Sequence, residues 1–136
     1  MSDLAHTILQ PLDWARPRGF ANGVIAQGKH VYIAGQIGWN SRQQFESDDF
    51  ALQTRQALAN IVAVLREAGA SPGHLVRMTW YVIDKHEYLR ATTAIGLAYK
   101  AVIGDFYPAM TLVQVAALVE DRARVEIEAT AVIPER

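Results

Sequence analysis

The sequence predicts one α/β (α+β) domain in which two helices pack on one face of a sheet. Three observations carry this prediction. A chain of 136 residues, 51% hydrophobic and 20% charged, can bury a single core and is too apolar for general disorder. Two stretches place apolar residues at helical spacing, while several others alternate apolar and polar residues. The alternating stretches put their apolar side chains on a shared face that helices can cover. No repeat, linker or low-complexity tract divides the chain, so residues 1–136 read as a single domain.

Gly23 to Ala34 reads as a β-hairpin, with Val24-Ile25-Ala26 and Val31-Tyr32-Ile33-Ala34 as strands and Gly28-Lys29 as the turn. Gly38 to Asp48 is a polar loop. From Asp49 the period becomes helical: Leu58, Ile61, Val62 and Leu65 form one stripe, Gly69 follows as a stop, and Ser71-Pro72 prevents resumption. Leu75 to Ile83 alternates, with Val76, Met78, Trp80 and Val82 on one face and Arg77 and Thr79 on the other. Asp84 and Glu87 have the spacing of a capping box, and a second helix is expected from about Glu87 to Ile103. Thr111 to Ala116 and Arg124 to Ile133 complete the sheet. Val125, Ile127, Ala129, Ala131 and Ile133 share a face, and Arg124, Glu126, Glu128 and Thr130 lie opposite.

The opposite sheet face is expected to mix charges with Met110, Leu112, Tyr81 and Val132. Isolated surface hydrophobes are common, but two helices can cover only one side, and a face so apolar is read as a subunit interface. Glu126 and Glu128 stand two apart on one strand and project from that face. A half-buried carboxylate there can position water or relay protons, although the pattern alone favours a solvated or salt-bridged face. Arg16 and Arg18 flank Pro17 in a loop, where a guanidinium suits a carboxylate ligand.

Several chemistries have no support. The net charge of −1 gives no basic surface for nucleic acid or an anionic membrane. There is no cysteine, hence no disulfide, thiolate nucleophile or cysteine zinc site. The residues Met1 to His6 do not resemble a secretory signal, no apolar run approaches a membrane span, and the cytoplasm is the expected location. Gly23 to Lys29 matches the spacing of a phosphate-binding loop, but His30 stands where a magnesium-ligating hydroxyl is needed and the pattern leads into a strand. His6, His30, His74 and His86 show no ligand spacing, so no metal is expected, and no G-x-S-x-G elbow is present.

Gly19-Phe20-Ala21-Asn22-Gly23-Val24 is similar to a G-P-Y-S-Q-A-V segment, and Val31-Tyr32-Ile33-Ala34-Gly35-Gln36-Ile37 to a V-F-V-S-G-Q-I strand. Gln53 to Ile61 resembles Q-T-x-Q-x-L-x-N-L, and Pro108-Ala109-Met110-Thr111 with Val113 to Leu118 resembles P-A-R-S-x-V-x-V-x-x-L. Val125-Glu126-Ile127-Glu128-Ala129 matches V-E-I-E-A. Through these ordered segments, across most of its length, the chain resembles the RidA/YjgF (reactive-intermediate deaminase, L-PSP) family. The resemblance implies a chorismate-mutase-like fold with one mixed six-stranded sheet and two helices on one face. It also implies a homotrimer with ligand clefts between subunits. Characterised members hydrolyse enamines and imines to keto acids and ammonia without a cofactor.

The departures bear on function. The arginine of P-A-R-S, which holds the substrate carboxylate in deaminating members, is Met110 here. The family tyrosine is Phe20, the serine of V-S-G-Q is Ala34, and the asparagine of the second helix corresponds to Thr93. Glu126 matches the water-positioning carboxylate. Loss of a buried charge-assisted contact costs roughly 3–5 kcal/mol, so a small imino acid should be handled poorly. Phe20, Ala34, Met110 and Leu112 make the expected cleft more apolar, with Trp39 and Tyr107 at its border. A less polar or bulkier small-molecule ligand than iminopropanoate is expected. In this reading Glu126 orients water, the backbone at Gly35 and Ala109-Met110 fixes the substrate, and Arg18 replaces the missing anchor. The alternative is a trimer that binds a metabolite without turnover; ribonuclease activity is disfavoured by the charge.

Overall fold

The computed structural model of the chain describes residues 6–135. Residues 1–5, within the stretch searched for a secretory signal, lie outside the described residues. The core is a four-stranded mixed sheet in the order β3 (Gly28–Ile37), β6 (Val125–Pro134), β4 (Leu75–Val82), β5 (Ala109–Gln114). Two further strands, β1 (Thr7–Leu9) and β2 (Gly23–Ile25), form a separate antiparallel ribbon. Six strands are therefore present, but in two sheets rather than one. The β4–β5 pair is parallel and the other pairs are antiparallel. The crossover between β4 and β5 supplies the second helical segment, as a parallel connection requires.

The expected hairpin is not formed. β2 pairs with β1, and β3 pairs with β6 at the far end of the chain. Gly28, the first residue of β3, has φ +147°, and a Cβ there would run into the backbone of Ile133. That close approach admits β3 into the ladder with β6 and requires glycine.

Helix α1 (Phe50–Glu67) follows the polar loop. Asp49 caps it, its carboxylate accepting from the Leu52 N–H at 3.0 Å. Gly69, at φ +70°, ends it, with the Ala70 N–H returning to the Leu65 carbonyl. Leu58, Ile61 and Leu65 are fully buried against Met78, Val82, Val125 and Ile127 of the sheet. Each such side chain contributes roughly 1.5–3 kcal/mol through burial.

The second helix is divided. α2 (Lys85–Arg90) is capped by Asp84, whose carboxylate accepts from the His86 N–H. Ala91 leaves helical geometry at φ −108°, ψ 12°, and α3 (Thr92–Val102) begins after it. Two consecutive threonines at this point are poor helix interior residues. Nor is the capping box completed: the Glu87 carboxylate pairs with Arg124 at 2.9 Å instead, tying α2 to the start of β6. Among the described residues no helix is long and apolar enough to cross a membrane.

Candidate functional site

Register decides which residues meet. Met78 is paired with Met110 and Trp80 with Leu112, so Met110 and Leu112 face the helices. They do not lie on the open face, where sequence alternation places them. The segment Met110-Thr111-Leu112-Val113 has no charged residue to mark its phase, and the pairing with β4 sets it. The open face instead carries Tyr32, 76% exposed, and Val113, 41% exposed, with Arg77, Thr79, Tyr81, Glu126 and Glu128. Val132, which the alternation also assigns there, is buried.

On the helix side, a cavity of about 470 Å³ opens beside the break between α2 and α3. Its floor is Trp80 with Met110, Thr111 and Leu112. Tyr88, Thr92, Ile95, Gly96 and Tyr99 supply one wall, and Tyr107 and the arm residues Arg18, Gly19 and Phe20 supply the mouth. Arg18 is the one charged residue of this lining, and it makes no ion pair among the described residues. Tyr99 and Tyr107 stack at 5.1 Å with their planes 14° apart. The Tyr99 hydroxyl donates to the Phe106 carbonyl at 2.5 Å. Burial, and secondarily Tyr107, push its pKa above the usual tyrosine range, so it remains a neutral donor. The Trp80 indole N–H is buried and has no hydrogen-bond partner, an arrangement that costs about 1–3 kcal/mol.

A second group lies on the open face. Glu126 stands opposite Tyr81 on β4 and Ile37 on β3, and its carboxylate rests directly over Gly35. A Cβ at position 35 would occupy the carboxylate's place. Ala34 is exposed next to it. Nearby, the Tyr81 hydroxyl donates to Glu128 at 2.5 Å; that bond, with burial and the two carboxylates behind it, raises the tyrosine pKa.

The expected site residues thus separate. Arg18, Phe20, Met110 and Leu112 meet at the cavity, with Tyr107, while Ala34, Gly35 and Glu126 meet across the sheet. Ala109 is the first residue of β5 and bridges to Ala21 of the arm. Thr93 is exposed and is not part of the lining; its neighbour Thr92 is. Trp39 lies against Phe45 in the loop before α1, also outside the cavity. Trp80, Tyr88, Gly96 and Tyr99 were not anticipated. The spacing of Trp80 marks it only as a core residue. Among the described residues no three His, Asp or Glu side chains gather as metal ligands.

A family model described as Endoribonuclease L-PSP matches residues 15–133. The 2-iminobutanoate/2-iminopropanoate deaminase of Salmonella typhimurium is 32% identical over 108 residues, covering 77% of this chain and 80% of that protein. The crystal structure of a Rid-family protein of unknown function from Yersinia pestis superposes with a TM-score of 0.85 at 32% identity, covering 96% of this chain and 100% of that one. Escherichia coli TdcF with bound serine gives a TM-score of 0.66 at 30% identity, covering 93% and 98%. Matched over nearly its whole length, with the same two helices on a mixed sheet, the chain belongs to the RidA/YjgF family.

Proposed function

We propose that the chain is a cofactor-independent hydrolase of enamines or imines, working in a cleft between copies of itself. The observation that carries this reading is the Glu126 carboxylate lodged over Gly35, with an uncompensated cation, Arg18, at an apolar cavity. Glu126 removes a proton from water as the water oxygen attacks the imine carbon. Glu126 returns that proton to nitrogen, giving a tetrahedral aminoalcohol; transfer of the hydroxyl proton to nitrogen as the C–N bond breaks releases ammonia and leaves the oxo acid. Arg18 holds the substrate carboxylate that Met110 cannot hold.

The sheet lies between Glu126 and the cavity of the same copy. A ligand that touches both therefore needs the acid of a neighbouring subunit. This supports a homotrimer joined through the open face, where Tyr32 and Val113 remain exposed. The second reading, a trimer that binds a metabolite without turnover, is favoured by Met110, because binding in an apolar cavity does not demand the missing arginine. The name of the family model raises ribonuclease activity, which the net charge of −1 disfavours.

Imines released from a panel of amino acids by an oxidase, and trapped with semicarbazide, provide the test. The protein should accelerate their loss, and Glu126→Gln should reduce that acceleration about a hundredfold or more. Full activity in the variant, or no acceleration with any imine, removes the hydrolase reading.

A further inference from the structure

We infer that the cavity takes 2-imino and 2-oxo acids with an aromatic side chain, and that Gly96 is the position that makes room for the ring. This rests on the cavity being the ligand site of the proposed hydrolase.

Gly96 lies inside α3, a helix of 11 residues, and lines the cavity. After proline, glycine is the poorest helix former. Nothing in the fold demands it: its φ is not positive, and an added Cβ would meet no atom within 4 Å. A side chain there would project from the cavity wall into open space. A volume of about 470 Å³ falls within the roughly 300–1,000 Å³ of ordinary ligand pockets, and a three-carbon imino acid would leave most of it empty.

The chemistry of the wall agrees. Tyr99 and Tyr107 present a stacked pair, and the Tyr99 hydroxyl is already engaged, so the ring is what it offers. Phe20 and Tyr88 add further aromatic surface, which favours offset or edge contacts with another ring. Arg18 is the single charge, suited to one carboxylate. The Trp80 ring forms part of the floor beneath them.

The assembled full-length protein is titrated with phenylpyruvate and with pyruvate, by calorimetry and tryptophan fluorescence. In parallel, loss of the imines from phenylalanine and alanine is followed. Phenylpyruvate should bind about tenfold or more tightly than pyruvate, and the phenylalanine-derived imine should show the same preference in kcat/KM. Gly96→Leu should lower the aromatic-to-small ratio by about tenfold or more in both measurements. Gly96→Ala should move it in the same direction by less, and serves if the leucine variant does not fold. Equal binding of the two acids, or an unchanged ratio in folded Gly96 variants, overturns the inference. Selective phenylpyruvate binding without hydrolysis of any imine supports the ligand class and removes the hydrolase reading. Hydrolysis of both imines at equal efficiency does the reverse.

Discussion

At Gly35 a single missing methyl group makes room for the carboxylate of Glu126. The carboxylate lies where a side chain at 35 would be, so the glycine and the acid form one unit although 91 residues separate them in the chain. Gly35→Ala should therefore reduce imine hydrolysis nearly as much as Glu126→Gln, and the double variant should lose little more than either single one. A double-mutant cycle on kcat/KM checks this; additive losses would show that the two act separately. Both residues sit inside short motifs of the sequence, V-E-I-E-A and the strand Val31 to Ile37, but their contact is visible only in the fold. Trp80 was legible only as a core residue, since alternation identifies a buried side but not a gap in what buries it. Thr93 comes from matching the family asparagine, and the helix face that it occupies depends on where the helix begins. Here the interruption at Ala91 moves that origin.

Among the elements, α1 is legible from its stripe and its terminal glycine, since both signals are local. The hairpin was misread because strand pairing is not local: Thr7–Leu9 offered β2 a partner, and β6 offered one to β3. The turn from α1 into β4 carries a pH dependence of its own. His74 accepts the Ser71 N–H through Nδ1 at 3.1 Å, and burial, followed by the nearby His6, lowers its pKa below the usual 6.5. The folded chain then binds fewer protons here than the unfolded chain over the interval just below 6.5. The contribution of this turn to stability is complete above that value and declines as pH falls through the folded pKa. Urea midpoints measured from about pH 7 to about pH 5 should drop more for the native chain than for His74→Asn, which retains an acceptor but does not titrate. Parallel curves would show that the imidazole makes no such contribution.

For the whole molecule, the decisive relation is that the cavity and Glu126 occupy opposite sides of one sheet. If neighbouring copies complete each other, subunits carrying Glu126→Gln and subunits carrying Arg18→Ala, each defective alone, should regain activity when refolded together, because some junctions then combine an intact cavity with an intact acid. Activity equal to the weighted sum of the two parents would place both groups within one copy. The sequence suggests a junction through its apolar open face and its family likeness, but the cavity is formed by an arm, a helical crossover and a strand whose meeting no local pattern encodes. The arm itself meets the edge of β5 through the Ala21 N–H and the Pro108 carbonyl at 3.0 Å, next to the Ala21–Ala109 bridge. Arg18 and Phe20 hang immediately upstream of that stitch. Replacement or change of length before residue 21 can consequently refurnish the doorway, while the room behind it, walled by α3 and floored by β4 and β5, keeps its shape.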